Sequence, residues 1–115
     1  MFSKKKRIKK KKDFEELFKK GIRQKGFFLS LRARKNDLEF SRFGTIVSKK
    51  VSKKAVERNK IRRRIFEITR KDLLNRIKKG WDVLFVVSAG IKEKKGKELQ
   101  EILLKELERA NLLAK

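Results

Sequence analysis

The chain has 115 residues, with 37 Lys and Arg against 14 Asp and Glu and a formal net charge of +23. That length fits one domain with a modest core, and that charge calls for a polyanionic partner, nucleic acid first. The absence of Cys and His excludes disulfides, zinc sites built on thiolate or imidazole, and imidazole acid–base catalysis.

Residues 1–12 read as a basic arm, its lysine-rich part running from Ser3 to Lys12, too charged to pack and expected to be mobile until it meets phosphate. Residues 13–115 read as the folded domain. No apolar run approaches the roughly 20 residues that span a bilayer, and Met1 to Lys12 lacks the apolar core of a secretory signal. The expectation is a cytoplasmic protein with no membrane partner.

Asp13 stands as an N-cap with Glu16 three residues on, predicting a helix over about Phe14 to Lys20 that Gly21 ends. Phe14 and Phe18 are spaced i, i+4 beside Leu17 and share one surface. They either pack onto a sheet as core or stack single-stranded bases at the edge of a groove, a contact worth about 1–3 kcal/mol per base.

Phe27 to Ala33 and Leu38 to Ser48 are rich in Phe, Leu, Ile and Val and flank the turn residues Lys35-Asn36-Asp37, which predicts an antiparallel hairpin. Alternation sets Phe27, Leu29 and Leu31 on one face and Phe28, Ser30 and Arg32 on the other. The second face is half polar and suits solvent or a ligand. Ser48 to Lys54 then links strand to helix, with Ser52 as a candidate N-cap and Lys49, Lys50, Lys53 and Lys54 around it. Lysines there oppose the helix dipole unless an anion is near.

Ala55 to Ile77 lacks Gly and Pro, and Ile61, Ile65 and Ile68 mark one buried stripe of a long helix. Arg58, Asn59, Arg62, Arg63 and Arg70 fall within about 140° of one another on the opposite face. Guanidinium groups on a rigid helix can make paired hydrogen bonds to phosphate oxygens. The plain alternative is a solvated face, against which stands the repulsion of like charges four apart, roughly a few tenths of a kcal/mol each. Glu67, at i+4 from Arg63, can steady an arginine, and Phe66 either packs or stacks on a base.

After Gly80 come Trp81-Asp82 and the apolar run Val83 to Val87, which suits a buried strand. Gly90 and Gly96 bracket a basic loop, and Leu99, Ile102, Leu103, Leu107 and Ala110 form the apolar face of a closing helix. The order helix, hairpin, helix, strand, helix predicts an α+β single domain with a small, mainly antiparallel sheet packed with helices.

Taken together, Val47-Ser48-Lys49-Lys50, Ala55-Val56, Arg58-Asn59 and Arg62-Arg63, with Asp13-Phe14 and Phe18 upstream and Gly44 between, resemble the bacterial ribonuclease P protein family. The resemblance runs from about Lys12 to the final helix. It implies a left-handed β-α-β crossover and a division of labour in which an RNA subunit is the catalyst. That RNA removes the 5′ leader of precursor tRNA with Mg2+, while the protein assists and is expected to be inactive alone. It further implies ribonuclease P RNA and the precursor tRNA leader as partners, with no small-molecule substrate and no cofactor bound by the protein itself.

Carried over by position, Arg58, Asn59, Lys60, Arg62 and Arg63 would contact the catalytic RNA, joined by Arg70, Lys49 and Lys50. Phe14, Phe18, Phe28 and Ser30 would line the leader cleft. Phe66 stands where the family motif usually carries a third Arg, with Arg64 and Arg70 as nearby sources of charge. Ser52 lies in place of a glycine-containing connection, and Ser30 at a position often aromatic. A ribosomal or other structural RNA-binding protein would share the charge and fold class but not the joint Ser-Lys-Lys and Arg-Asn pattern. A stand-alone nuclease would need a catalytic cluster of acidic residues, which here stand singly or in short pairs beside lysines.

Overall fold

A computed structural model describes residues 6–114; the remainder of the expected arm, residues 1–5, lies outside the described residues. The elements are α1 (Lys11–Lys20), β1 (Ile22–Gln24), β2 (Leu29–Lys35), β3 (Arg42–Ile46), α2 (Ala55–Ile68), β4 (Trp81–Val87) and α3 (Gly96–Arg109). A π-helical turn, Thr69–Leu73, continues α2, and a 3₁₀ turn, Ala89–Glu93, precedes α3. The α+β class expected from the sequence is the one observed.

The four strands lie in the order β1-β2-β4-β3. Strand β4 pairs antiparallel with β2 and parallel with β3, so α2 lies within the crossover joining two parallel neighbours. This corrects the expected hairpin of Phe27–Ala33 with Leu38–Ser48, because β4 is inserted between those two segments. The reason is burial. Val83, Leu84 and Phe85 are all fully buried, so β4 takes the central place where both faces are covered, which the uniformly apolar run favours. The turn residues act as expected locally: Asn36 Oδ1 accepts from the Leu38 N–H at 2.8 Å, and Asp37 has φ 61°.

Short, polar β1 was not expected. It pairs antiparallel with β2 through Ile22–Ala33 and Gln24–Leu31. Gly21 joins it to α1, and there a Cβ would lie 2.5 Å from the Leu17 carbonyl oxygen and 3.0 Å from that of Ala33. The glycine is required by close approach of two backbones.

One face of the sheet carries the main core. Leu29, Leu31, Ala33, Val83 and Phe85 meet Ile61 and Ile65 of α2 and Leu99, Leu103 and Leu107 of α3. The other face carries a smaller cluster of Ile8, Leu17 and Leu84, flanked by Phe14, Ile46 and Val86. Ion pairs tether α1 to two strands, since Asp13 meets Arg42 of β3 at 3.4 Å and Glu16 meets Arg34 of β2 at 2.8 Å. Asp13 therefore lies inside the first turn of α1, not at its N-cap; Lys10 holds that position without a side-chain cap.

The arm contributes more structure than its charge suggested. Ile8 is only 6% exposed, its N–H donates to the Phe43 carbonyl at 2.8 Å, and Arg7 forms a parallel bridge to Phe43. Lys11 and Lys12 belong to α1, so the expected boundary at residue 12 falls within a helix.

Helix α2 ends its regular part at Ile68, short of the expected Ile77. The Thr69 hydroxyl donates to the Ile65 carbonyl at 2.8 Å, and the Leu74 N–H reaches the Thr69 carbonyl at 2.9 Å, the spacing of a π turn. The wider turn carries burial from Ile61 and Ile65 to Thr69 and Leu73, leaving Ile68 partly exposed.

Candidate nucleic-acid interface

The cationic face of α2 forms as expected, but its members do different things. Arg58 donates from Nη1 to the Ser52 and Lys53 carbonyls, each at 3.0 Å, and so ties the preceding loop to the helix. Arg62 donates to Asn59 Oδ1 at 2.7 Å, an i, i+3 contact that orients both groups. Arg63 and Lys60 are exposed. Arg70, in the π turn, pairs with Glu67 at 2.9 Å, so Glu67 steadies Arg70 instead of Arg63. That pair raises the Arg70 guanidinium above its usual value and lowers Glu67, in each case chiefly through the hydrogen bond between them. Arg64 points elsewhere and donates to the Lys92 carbonyl at 3.1 Å.

Lys49 and Lys50 are exposed in a turn that Val47 and Val51 anchor in the core. Ser52 is buried two residues ahead of the observed N-cap, Lys54. Its hydroxyl accepts from the Lys54 N–H at 3.2 Å and donates to Glu57. This corrects Ser52 as the N-cap while keeping a polar latch at the helix start. The Ser52 hydroxyl is the largest influence holding the Glu57 carboxyl below its usual range, with Lys92 and Lys54 adding to it.

The aromatic pair of α1 divides its duties. Phe14 is partly buried against the Ile8–Leu17–Leu84 cluster, whereas Phe18 is 42% exposed. The Arg32 guanidinium lies 4.9 Å from the Phe18 ring centroid and donates to the Phe18 carbonyl at 3.0 Å. A basin of about 560 Å³ over the outer side of α1 is lined by Phe14 and Phe18, by Lys9, Lys11 and Lys19, and by a single carboxylate, Glu15. Rings flanked by lysines are what a single strand of nucleic acid needs: a stacking surface beside a phosphate track. Ser30 is paired with Val86, which packs on the α1 side of the sheet.

Phe28 departs from the alternation that grouped it with Ser30. It precedes β2, packs against the main core and leaves no slack beside Gly90, where a Cβ would come within 3.2 Å of its ring. Phe27 makes an edge contact with it at 4.8 Å but is 84% exposed, contrary to its expected place with Leu29 and Leu31. The chain is still turning into the strand at both positions, so the two-residue period starts only at Leu29.

The two predicted surfaces meet. A cavity of about 140 Å³ is lined by Phe14 of α1, Gly44 of β3, Arg62, Phe66 and Thr69 on the α2 side, and Arg7. A Cβ on Gly44 would lie 3.2 Å from Leu84 Cδ1 and 3.4 Å from Phe14 Cε1, so the glycine keeps this junction open. Phe66 packs partly against the main core, one of its two expected roles, and the Arg7 guanidinium lies 4.8 Å from its ring centroid. Sequence reasoning missed Arg7 because nothing in a lysine-rich run distinguishes one cation from the next.

Among the described residues, no three acidic side chains are placed to hold a metal ion, and no helix is long and apolar enough to cross a membrane.

The family described as Ribonuclease P matches residues 2–111 of the chain. The ribonuclease P protein component of Clostridioides difficile (strain 630) is 32% identical over 111 residues, covering 96% of this chain and 96% of that protein. The solved RNase P protein of Staphylococcus aureus superposes with a TM-score of 0.84 at 29% identity, covering 95% of this chain and 98% of that one. The RNase P protein from Thermotoga maritima gives a TM-score of 0.81 at 30% identity, covering 90% and 96%. Agreement in sequence, in fold and in the span covered leads to one conclusion: the chain belongs to the bacterial ribonuclease P protein family.

Proposed function

We propose that this protein is the subunit that binds ribonuclease P RNA and the 5′ leader of precursor tRNA, and so assists removal of the leader. The RNA performs the phosphodiester hydrolysis, with Mg2+ held by RNA, and the protein alone is inactive. What supports this reading is that the described residues gather cations and aromatic rings on one surface, the groups that bind a phosphate backbone and stack bases. Membership of the family places the chain in an endoribonuclease ribonucleoprotein with ribonuclease P RNA as its partner.

In this reading Arg58, Asn59, Lys60, Arg62, Arg63 and Arg70 face the catalytic RNA, with Lys49 and Lys50 extending the basic surface. Phe14 and Phe18 stack the leader and Ser30 lies on the same side of the sheet, whereas Phe28, packed against the main core, lies apart from them. The observation that carries the proposal is the shared cavity of Phe14 and Arg62. One continuous surface thereby offers guanidinium groups to a folded RNA and rings to a single strand beside it. The test compares binding of precursor tRNA with and without its leader by the protein assembled with ribonuclease P RNA. A preference for the leader-bearing form that Phe18→Ala removes supports the reading. No preference, or one that Phe18→Ala leaves intact, contradicts it.

A further inference from the structure

We propose that Arg7, from the N-terminal arm, and Arg62, from α2, form a two-sided clamp on one phosphate of a single RNA strand, with Phe66 as the platform that holds Arg7 in place. The inference rests on the RNA-binding reading of this surface and refines it at one residue: Arg62, at the cavity shared with Phe14, turns to the single strand while its neighbours on α2 face the folded RNA.

Three observations converge. Arg7 and Arg62 line the same cavity although they come from distant parts of the chain. The backbone around Arg7 is fixed, because Arg7 bridges Phe43, the Ile8 N–H donates to the Phe43 carbonyl, and the Ile8 side chain is buried. The Arg7 guanidinium lies over the Phe66 ring at 4.8 Å. A guanidinium laid on a ring still has in-plane N–H donors for phosphate oxygens, and the ring removes part of the entropy cost of ordering a long side chain.

The charges around the cavity argue for an anion. The ion pairs among the described residues involve neither Arg7 nor Arg62, whereas Arg34, Arg42, Arg70 and Arg109 each have a carboxylate. Arg62 is steadied by a neutral amide, Asn59, and keeps its charge uncompensated. Two guanidinium groups that line one cavity without a carboxylate among their ion-pair partners favour an anion there. Phe14 at the same cavity supplies a ring for the adjoining base, which points to a single strand, not a duplex.

The test uses the full chain assembled with a bacterial ribonuclease P RNA and measures affinity for a leader-bearing precursor tRNA across a salt series. Arg7→Ala should weaken binding and reduce the salt slope by about 1, the loss of one phosphate contact. Adding Phe66→Arg to Arg7→Ala puts a guanidinium back beside Arg62 from the helix itself and should recover most of the loss. Thermal melting of each variant shows that the fold is retained. An unchanged slope in Arg7→Ala, with Arg62→Ala still lowering it, overturns the clamp and leaves the RNA-binding reading intact. A loss in Arg7→Ala that Phe66→Arg does not recover places the Arg7 contact away from this cavity and overturns the clamp as well. If neither arginine affects binding, the RNA-binding reading of this surface fails with it.

Discussion

Arg42 holds Asp82 by two hydrogen bonds across the parallel pair β3 and β4, Nε donating to Oδ1 at 2.8 Å and Nη2 to Oδ2. The same guanidinium reaches Asp13 of α1, and Asn36 Nδ2 donates to Asp82 Oδ1 at 2.9 Å. This hydrogen bonding to Asp82 is the main reason the Arg42 guanidinium is raised above its usual value. The network fixes α1, and with it Phe14, against the sheet edge that opens at Gly44. Asp82 is buried, so Arg42→Met should destabilise the fold by about 2–4 kcal/mol, most of it the cost of an abandoned carboxylate. Urea unfolding measures this; a change under about 0.5 kcal/mol would contradict the stated role.

Arginines on α2 should separate by geometry. Arg62→Ala should lower the salt slope of RNA binding by about 1 with little loss of stability, because only Asn59 pairs with it. Arg58→Ala should lower the slope similarly and also the melting temperature, since it frees the Ser52 and Lys53 carbonyls. A salt titration beside a thermal melt distinguishes the two. Equal melting temperatures for both variants would show that Arg58 does not tie the loop.

Gly44→Val should close the junction between the two surfaces. Even a Cβ there touches Leu84 and Phe14, and two further methyl groups would push the Phe14 ring outward. Affinity for leader-bearing precursor tRNA should fall several-fold, while affinity for ribonuclease P RNA changes by less than about twofold. Parallel binding measurements with the two RNAs test this, and an equal fall in both would refute a separate leader groove.

Acid should weaken the fold. Glu16 is held below the usual carboxylate range by Lys20 first and Arg34 next, Glu57 by the Ser52 hydroxyl, and Glu67 by Arg70. A carboxyl depressed in the folded state stabilises it above its unfolded value, and that contribution disappears as the pH falls through the folded one. Protonation also adds positive charge to a chain already at +23. The melting temperature should therefore fall steadily from about pH 5 to about pH 3 at low salt. A flat or rising profile would contradict it.

Much of this architecture was legible in the residues. The period of Ile61 and Ile65 gave the buried stripe of α2, and the uniform apolar run at Val83–Val87 gave a buried strand. What that run could not give was its partners, since placing β4 between β2 and β3 depends on contacts remote in sequence. Asp13 looked like a cap because caps and ion-pair acids share one residue type; only the position of Arg42 decides between them. The π turn was hidden because Thr69 suits a helix interior until its hydroxyl bonds to Ile65. The aromatic pair of α1 was readable as a surface, whereas its junction with α2 depended on Gly44 and Arg7, residues that no local pattern marks.

Cleavage of a precursor tRNA by a bacterial ribonuclease P RNA at low Mg2+, with and without this protein and beside a protein-only control, tests the division of labour between RNA and protein. Correct 5′ maturation that appears only when RNA and protein are combined is the predicted result. Cleavage by the protein alone would contradict the division of labour. RNA binding that brings no gain in cleavage would contradict the assigned role and identify the chain as a structural RNA-binding protein.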